Sequence, residues 1–321
     1  MTRPLLILSV GLASYAVTST LLSIVLAVYW TVGFGSRQPA APGSRATWLV
    51  WLRLSPSLAG TLLTLGLVVP AFVAFEPRRA SEPVGALLVA SAMLGAAILG
   101  AATVRAICTA LATSRLQRAW LEAATALDVN PPAGMPAYVV DAIPPTVALV
   151  GVFWPRLVAA RSVIEACTPD ELAQIVGHER GHLDARDNLK RWLLSCAPDV
   201  LVGSAIHASI MSAWHDASED AADDRATRGR EQDRVDLAAL LIKVARLAPA
   251  AAGPYSSFAD RDSLDRRVRR LLASCPEPVR DGWVGPLVAV ISAGAVIGML
   301  VQPRTLRQLY DIVEFTIALG R

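Results

Sequence analysis

The chain has 321 residues, 54% of them hydrophobic, and a net charge of +3. A mean hydropathy of +0.45 is too apolar for an ordinary water-soluble enzyme, and the apolar residues are bunched rather than periodic, which reads as membrane spans. Cys108, Cys167, Cys196 and Cys275 are widely spaced with no CxxC pattern, which argues against a cysteine-zinc site and a disulfide framework.

Residues 5–30 carry no charge and exceed the roughly 20 needed to cross a bilayer. The run is too long for a signal-peptide core, so it reads as a retained span, and no cleaved targeting segment is evident. Residues 54–75 form a second candidate, 84–108 a third with Arg105 near its end, and 283–301 a fourth. Ala86, Ala90, Gly95, Ala96, Gly100 and Ala101 in the third suit close helix packing, within the bundle or in a homodimer. The spans contain almost no embedded acid–base pairs, which argues against a channel or carrier.

Arginine placement sets the expected orientation. The first loop holds Arg37, Arg45 and Arg53 with no acid, whereas the second mixes Glu76, Arg78, Arg79 and Glu82, so the first belongs in the cytoplasm and the amino terminus outside. Arg105, Arg115 and Arg118 follow the third span, and Arg266, Arg267, Arg269, Arg270 and Arg280 precede the fourth. The intervening segment is then cytoplasmic. Beside membrane spans, these arginines read as lipid-headgroup and topology signals rather than direct nucleic-acid contacts. The expected location is the inner membrane of a bacterial-type cell.

The stretch between the third and fourth spans is long enough for one domain. Residues 115–127 pattern as an amphipathic helix ended by Pro131, Pro132 and Gly134. Residues 137–140, 146–150 and 156–160 read as a small sheet, with 152–161 the expected edge beside which an extended peptide could add. Thr168, Pro169, Asp170 and Glu171 then spell a capping box with Pro at the first helical position. The helix they start carries His178-Glu179-Arg180-Gly181-His182. Residues four apart share a helix face, so His178 and His182 can both face one cation, with Glu179 turned beside it. A catalytic zinc needs a third protein ligand and an open position, and Glu219 is the candidate. Asp223, one turn later, can hydrogen-bond a ligating imidazole from behind. Asp187 reads equally as an anchor for the end of the zinc helix or as a solvated acid. His215 shares the Glu219 face and could supplement it, whereas His207 lies in the mostly apolar stretch 200–214, a buried helix or a segment dipping into the membrane.

Taken together, three spans, a helix reading HExxHxxxxD from His178 to Asp187, the Glu219/Asp223 pair and a closing span resemble the M56 peptidases of the BlaR1/MecR1 antirepressor type. Gly151 to Pro155, Thr168 to Leu172, Asp187-Asn188-Leu189 and the basic stretch 264–272 sit where that family has similar residues. The resemblance implies His178, His182 and Glu219 as ligands of one zinc ion and Glu179 as general base. It also implies a protein substrate such as a transcriptional repressor, self-cleavage, and a role in signal transduction. The penicillin-binding sensor domain of the family's antibiotic receptors is missing, since only residues 302–321 follow the last span. The M48 peptidases share HExxH with a later ExxxD and are the alternative within the same chemistry, as membrane quality-control proteases. A membrane scaffold that binds zinc without cutting is the alternative outside it.

The expected fold is thus a multi-pass α-helical membrane protein of about four spans with an inserted α+β metallopeptidase domain of the zincin, gluzincin type. Residues 1–112 form three transmembrane helices, 113–281 the cytoplasmic domain, 282–302 the fourth span and 303–321 a short extracytoplasmic tail.

Overall fold

The computed structural model describes residues 2–32, 41–76, 85–122, 124–126, 136–141, 147–247, 261–273 and 303–319. Among these, three helical stretches are long and apolar enough to cross a membrane: α1 (Arg3–Thr31), Pro42–Phe75 and α4 (Ala86–Glu122). The fourth expected span, 283–301, lies outside the described residues. The middle stretch consists of α2 (Pro42–Leu63), a π turn over Thr64–Val68 and α3 (Val69–Phe75). Pro70 cannot donate to the carbonyl of Gly66, and a one-residue widening ahead of it absorbs the missing bond. α1 packs against both neighbours. Against α4 the approach is close: a Cβ on Gly95 would stand 2.2 Å from the carbonyl oxygen of Leu12, so this glycine serves the internal bundle.

The second stretch begins twelve residues before its expected start. Arg53, counted above as a loop residue, is therefore inside α2 and fully buried. The reason is a partner remote in sequence: Asp199 accepts two hydrogen bonds from the Arg53 guanidinium, at 2.5 and 3.1 Å, and one from Ser57 at 3.1 Å.

The domain that follows holds a four-stranded sheet of β1 (Thr125–Ala126), β2 (Ala137–Val140), β3 (Val147–Val150) and β4 (Arg156–Ala160), in the order β1-β2-β4-β3. β2 and β4 are parallel, and the other pairings are antiparallel. The segment expected at the edge is consequently interior. Leu157, Val158, Ala159 and Ala160 are all buried, and such a continuous apolar run marks a strand covered on both sides. β3 takes that edge instead, with β1 at the other. α5 (Arg161–Ala166) leads into α6 (Pro169–Ala185), α7 (Asp187–Ser195), α8 (Ala205–Thr227), α9 (Glu231–Leu247) and α10 (Arg261–Leu272). One core joins the sheet to α6 and α9 through Val147, Leu157, Ile175, Leu237, Leu241 and Val244.

A separate core joins the domain to the membrane helices. Leu201, Ile210, Trp214 and Ala217 pack on Leu26 of α1 and Ala46 and Leu49 of α2. The stretch 200–214 is a turn followed by the start of α8, capped by Ser204; Leu201, Ile210 and Trp214 are buried, whereas Val200, Ala205, Ala208 and Ser209 are exposed. At the opposite end of the bundle, α11 (Pro303–Leu319) seats Leu306 and Tyr310 against α3, and the Tyr310 hydroxyl donates to Glu76 at 3.0 Å.

Candidate metal centre

The capping box forms as read. The Thr168 hydroxyl accepts from the Glu171 amide at 3.3 Å, the Glu171 carboxylate accepts from the Thr168 amide at 2.7 Å, and Lys243 holds the same carboxylate from α9. From that fixed start α6 turns His178, Glu179 and Gly181 inward. Gly181 allows α8 to come near, since a Cβ there would stand 3.1 Å from the Cα of Ala222. Glu219 and Asp223 on α8 thereby face the two histidines.

Three ligand atoms converge. His178 Nε2 and His182 Nε2 are 3.2 Å apart, His182 Nε2 is 3.5 Å from Glu219 Oε1, and His178 Nε2 is 3.6 Å from Glu219 Oε2. Two ligands at the usual zinc distances and a tetrahedral angle stand roughly 3.4 Å apart, so the donor set fits such an ion. Each ring is aimed from behind by a carboxylate. His178 Nδ1 lies 3.0 Å from Asp223 Oδ1, and His182 Nδ1 lies 2.8 Å from Asp187 Oδ2. A carboxylate on Nδ1 fixes the tautomer that leaves the Nε2 lone pair for a metal. Asp187 reaches its histidine because Arg186, at φ +55°, turns the chain through the left-handed region between α6 and α7. Asp187 is buried, which sets aside its reading as a solvated acid.

A buried arginine completes the centre. Arg267 of α10 lies 2.9 Å from Glu219 Oε2 and donates to both oxygens of Asp223, at 3.0 and 2.6 Å. Burial alone would raise both carboxyls. Hydrogen bonding from His178 and the charge of Arg267 prevail, holding Glu219 well below the ordinary carboxylate range and Asp223 down to about 2. Burial likewise opposes charge on His178, but the neighbouring carboxylates of Asp223 and Glu219 outweigh this and raise it, and a bound metal would displace that proton. Glu179 differs: burial raises its carboxyl, and the histidine charges only partly offset that. It lies beside the ligands without joining them.

Neighbouring Arg266 and Arg270 pair with Asp216, Asp220 and Asp224 along α8. These arginines are counterions to an acidic helix, not the lipid-headgroup ligands expected of them. A signal existed: five acids within nine residues, 216–224, three of them buried, demand nearby cations. Asn188 was missed as a positioning residue. Its amide donates to the carbonyls of Leu149 and Gly151, at 2.9 and 2.8 Å, and ties β3 to α7. His215 Nδ1 stands 3.7 Å from Glu219 Oε1 but outside the converging group of three. His207 is remote from it, accepting from Arg53 Nε at 3.0 Å.

Comparison with known proteins finds a likeness over this part of the chain. No curated protein and no solved structure matches. Residues 110–259 match Peptidase family M48, a different family of zinc metallopeptidases from M56. The match overturns the M56 resemblance, whose strongest elements, HExxH and a later ExxxD, both families share. Over those 150 residues the protein is similar to zinc-dependent M48 metallopeptidases, and the segment contains all three converging ligands as well as Glu179.

Proposed function

We infer that the protein is a membrane-embedded, zinc-dependent endopeptidase of the M48 kind that cuts protein segments at the bilayer surface. The observation that carries this reading is the convergence of His178, His182 and Glu219 with Glu179 alongside, on a domain packed directly against membrane helices. Bound by the three ligands, zinc would supply Lewis acidity, bringing a water's pKa toward neutrality and polarising a peptide carbonyl. The Glu179 carboxylate takes the proton of the attacking water and passes it to the leaving amine nitrogen. Asp223, Asp187 and Arg267 keep the ligands in place. A peptide laid along β3 passes Glu179, which lines one small cavity with Val147 of that strand.

Trp30, near the end of α1, donates to Ser209 of α8 at 3.0 Å, so the first loop and the metal centre share one side of the membrane. With Arg37 and Arg45 in or beside that loop and Arg115 and Arg118 on α4, that side is the cytoplasm. The expectation of a repressor substrate rested on the M56 resemblance and has no other support.

The test compares new protein termini in membranes and cytosol from cells making wild type or Glu179→Ala at matched accumulation. Termini present only with the wild type are expected, with turnover falling at least about 10²-fold in the variant. Zinc should stay at one ion per chain in both. Identical termini in the two samples would leave a zinc-binding scaffold.

A further inference from the structure

The hairpin between β3 and β4 ends in two large apolar side chains that nothing in the metal centre uses. Phe153 is 52% exposed and Trp154 80%, the latter the most exposed large hydrophobic residue described. Gly151, at φ +118°, makes the turn possible, and its missing side chain leaves room for Gln117 of α4, whose amide donates to the Trp154 carbonyl at 3.1 Å. The tip is thus fastened to the helix that leaves the membrane. A second tie runs through α7: the Phe153 ring stands 5.3 Å from that of Trp192, whose indole N–H donates to the carbonyl of Ala106 at 3.1 Å.

The height of Ala106 decides what the tip meets. α4 carries no charge from Ala86 to Val104, about 28 Å of helix, which fills the hydrocarbon core of a bilayer, and Arg105 follows at once. Trp192 therefore stands at the boundary between acyl chains and headgroups. Phe153 and Trp154 adjoin it, with ring centroids 5.9 Å apart. Beyond Arg105, α4 goes on exposing Ile107, Leu111 and Leu116 with no further charge before Arg115, so an apolar surface rises from Ala106 toward Gln117 and the tip continues it. Aromatic rings with one apolar and one wet side collect at this level of membrane proteins. Two side chains are also far too small an area to hold a folded partner, which takes about 800 Å² on each side.

We propose that the Phe153–Trp154 tip is an interfacial anchor, seated among lipid headgroups and the upper acyl chains, which gives the catalytic domain its own contact with the bilayer. The inference depends on the membrane spans and not on proteolysis. Its consequence for the site is orientation. β3 leads directly into the tip, so the strand beside Glu179 starts at the membrane surface.

The test uses the full chain, one copy per lipid nanodisc. The protein has eight tryptophans, so the emission of Trp154 is taken as wild type minus Trp154→Phe, a change at an exposed site that leaves the core untouched. Discs are made with unmodified phosphatidylcholine, with bromines high on the acyl chain, or with bromines near its end. The expected result is a blue-shifted difference spectrum that falls about twofold or more with high bromines, less with deep ones, and little with acrylamide in the water. A red-shifted difference quenched by acrylamide and indifferent to bromine would overturn the proposal. So would protection from acrylamide that appears only when an unfolded protein is added, which would make the tip a substrate contact.

Discussion

The loop before α8 and the second half of α8 each hold buried acid against one buried arginine, and they do opposite things with it. At the membrane end, Asp199 in the loop before the helix takes three side-chain hydrogen bonds from Arg53 and Ser57 and a fourth from the amide of Leu201. Every acceptor is answered and the packing around it is apolar, so the cluster is closed and structural. At the other end, Arg267 satisfies Asp223 and one side of Glu219, but two imidazole nitrogens and the Glu219 carboxylate still face a single point. A structural polar cluster uses up its hydrogen-bonding capacity. A metal centre leaves three lone pairs unspent in one direction.

Breaking the closed cluster should show the largest stability loss. Arg53→Met leaves Asp199 buried without its counterion, and a cost of about 3–5 kcal/mol is expected, read as a fall in the thermal midpoint in detergent. Arg53→Met combined with Asp199→Leu should recover most of that loss, because both charges then vanish. Recovery of nothing would show that the pair is not an isolated structural cluster.

In the open cluster, the same kind of change should tell on metal rather than on folding. Asp187→Asn keeps the shape but removes the charge behind His182, and zinc affinity should drop about 10- to 100-fold, measured by competition with a chelating dye. The thermal midpoint of the metal-free protein should move little by comparison. A larger effect on the metal-free midpoint than on zinc affinity would erase the distinction between the two clusters.

The smallest effect is expected at the start of α6, where a charge acts at the surface. Lys243 and the Thr168 amide hold Glu171 below its ordinary range. A depressed folded pKa contributes stability above the unfolded value of about 4.3 and loses it as pH falls through the folded one. Glu171→Ala should therefore cost about 1 kcal/mol near neutral pH, and the gap to wild type should close in acid below about pH 4.3. A gap that widened on acidification would reverse the sign.

How much of this was readable in the chain depended on range. The α6 start, the HExxH face and the Glu219/Asp223 pair follow from residues within a few turns of one another, where capping and the helical period act directly. β4 was placed at the sheet edge because order among strands is set by long-range packing, although its unbroken apolar run hinted otherwise. Arg53 and Arg267 were both read from their neighbours in sequence, as topology signals. Their partners lie 146 and 44 residues away, on the far sides of intervening elements. Sequence spacing says nothing about such pairs, whereas an uncompensated run of buried acids does.

α7 acquires a further meaning from the three things fastened to it. Asp187 aims the candidate ligand His182, Asn188 grips β3, and Trp192 hangs from the carbonyl of Ala106 on α4. Five residues separate the first from the last, a rise of at most about 7.5 Å. On the proposed reading, the metal centre then rides close above the membrane like a blade on a depth gauge. A span-anchored substrate needs only about two or three extended residues beyond the hydrocarbon to cover that height.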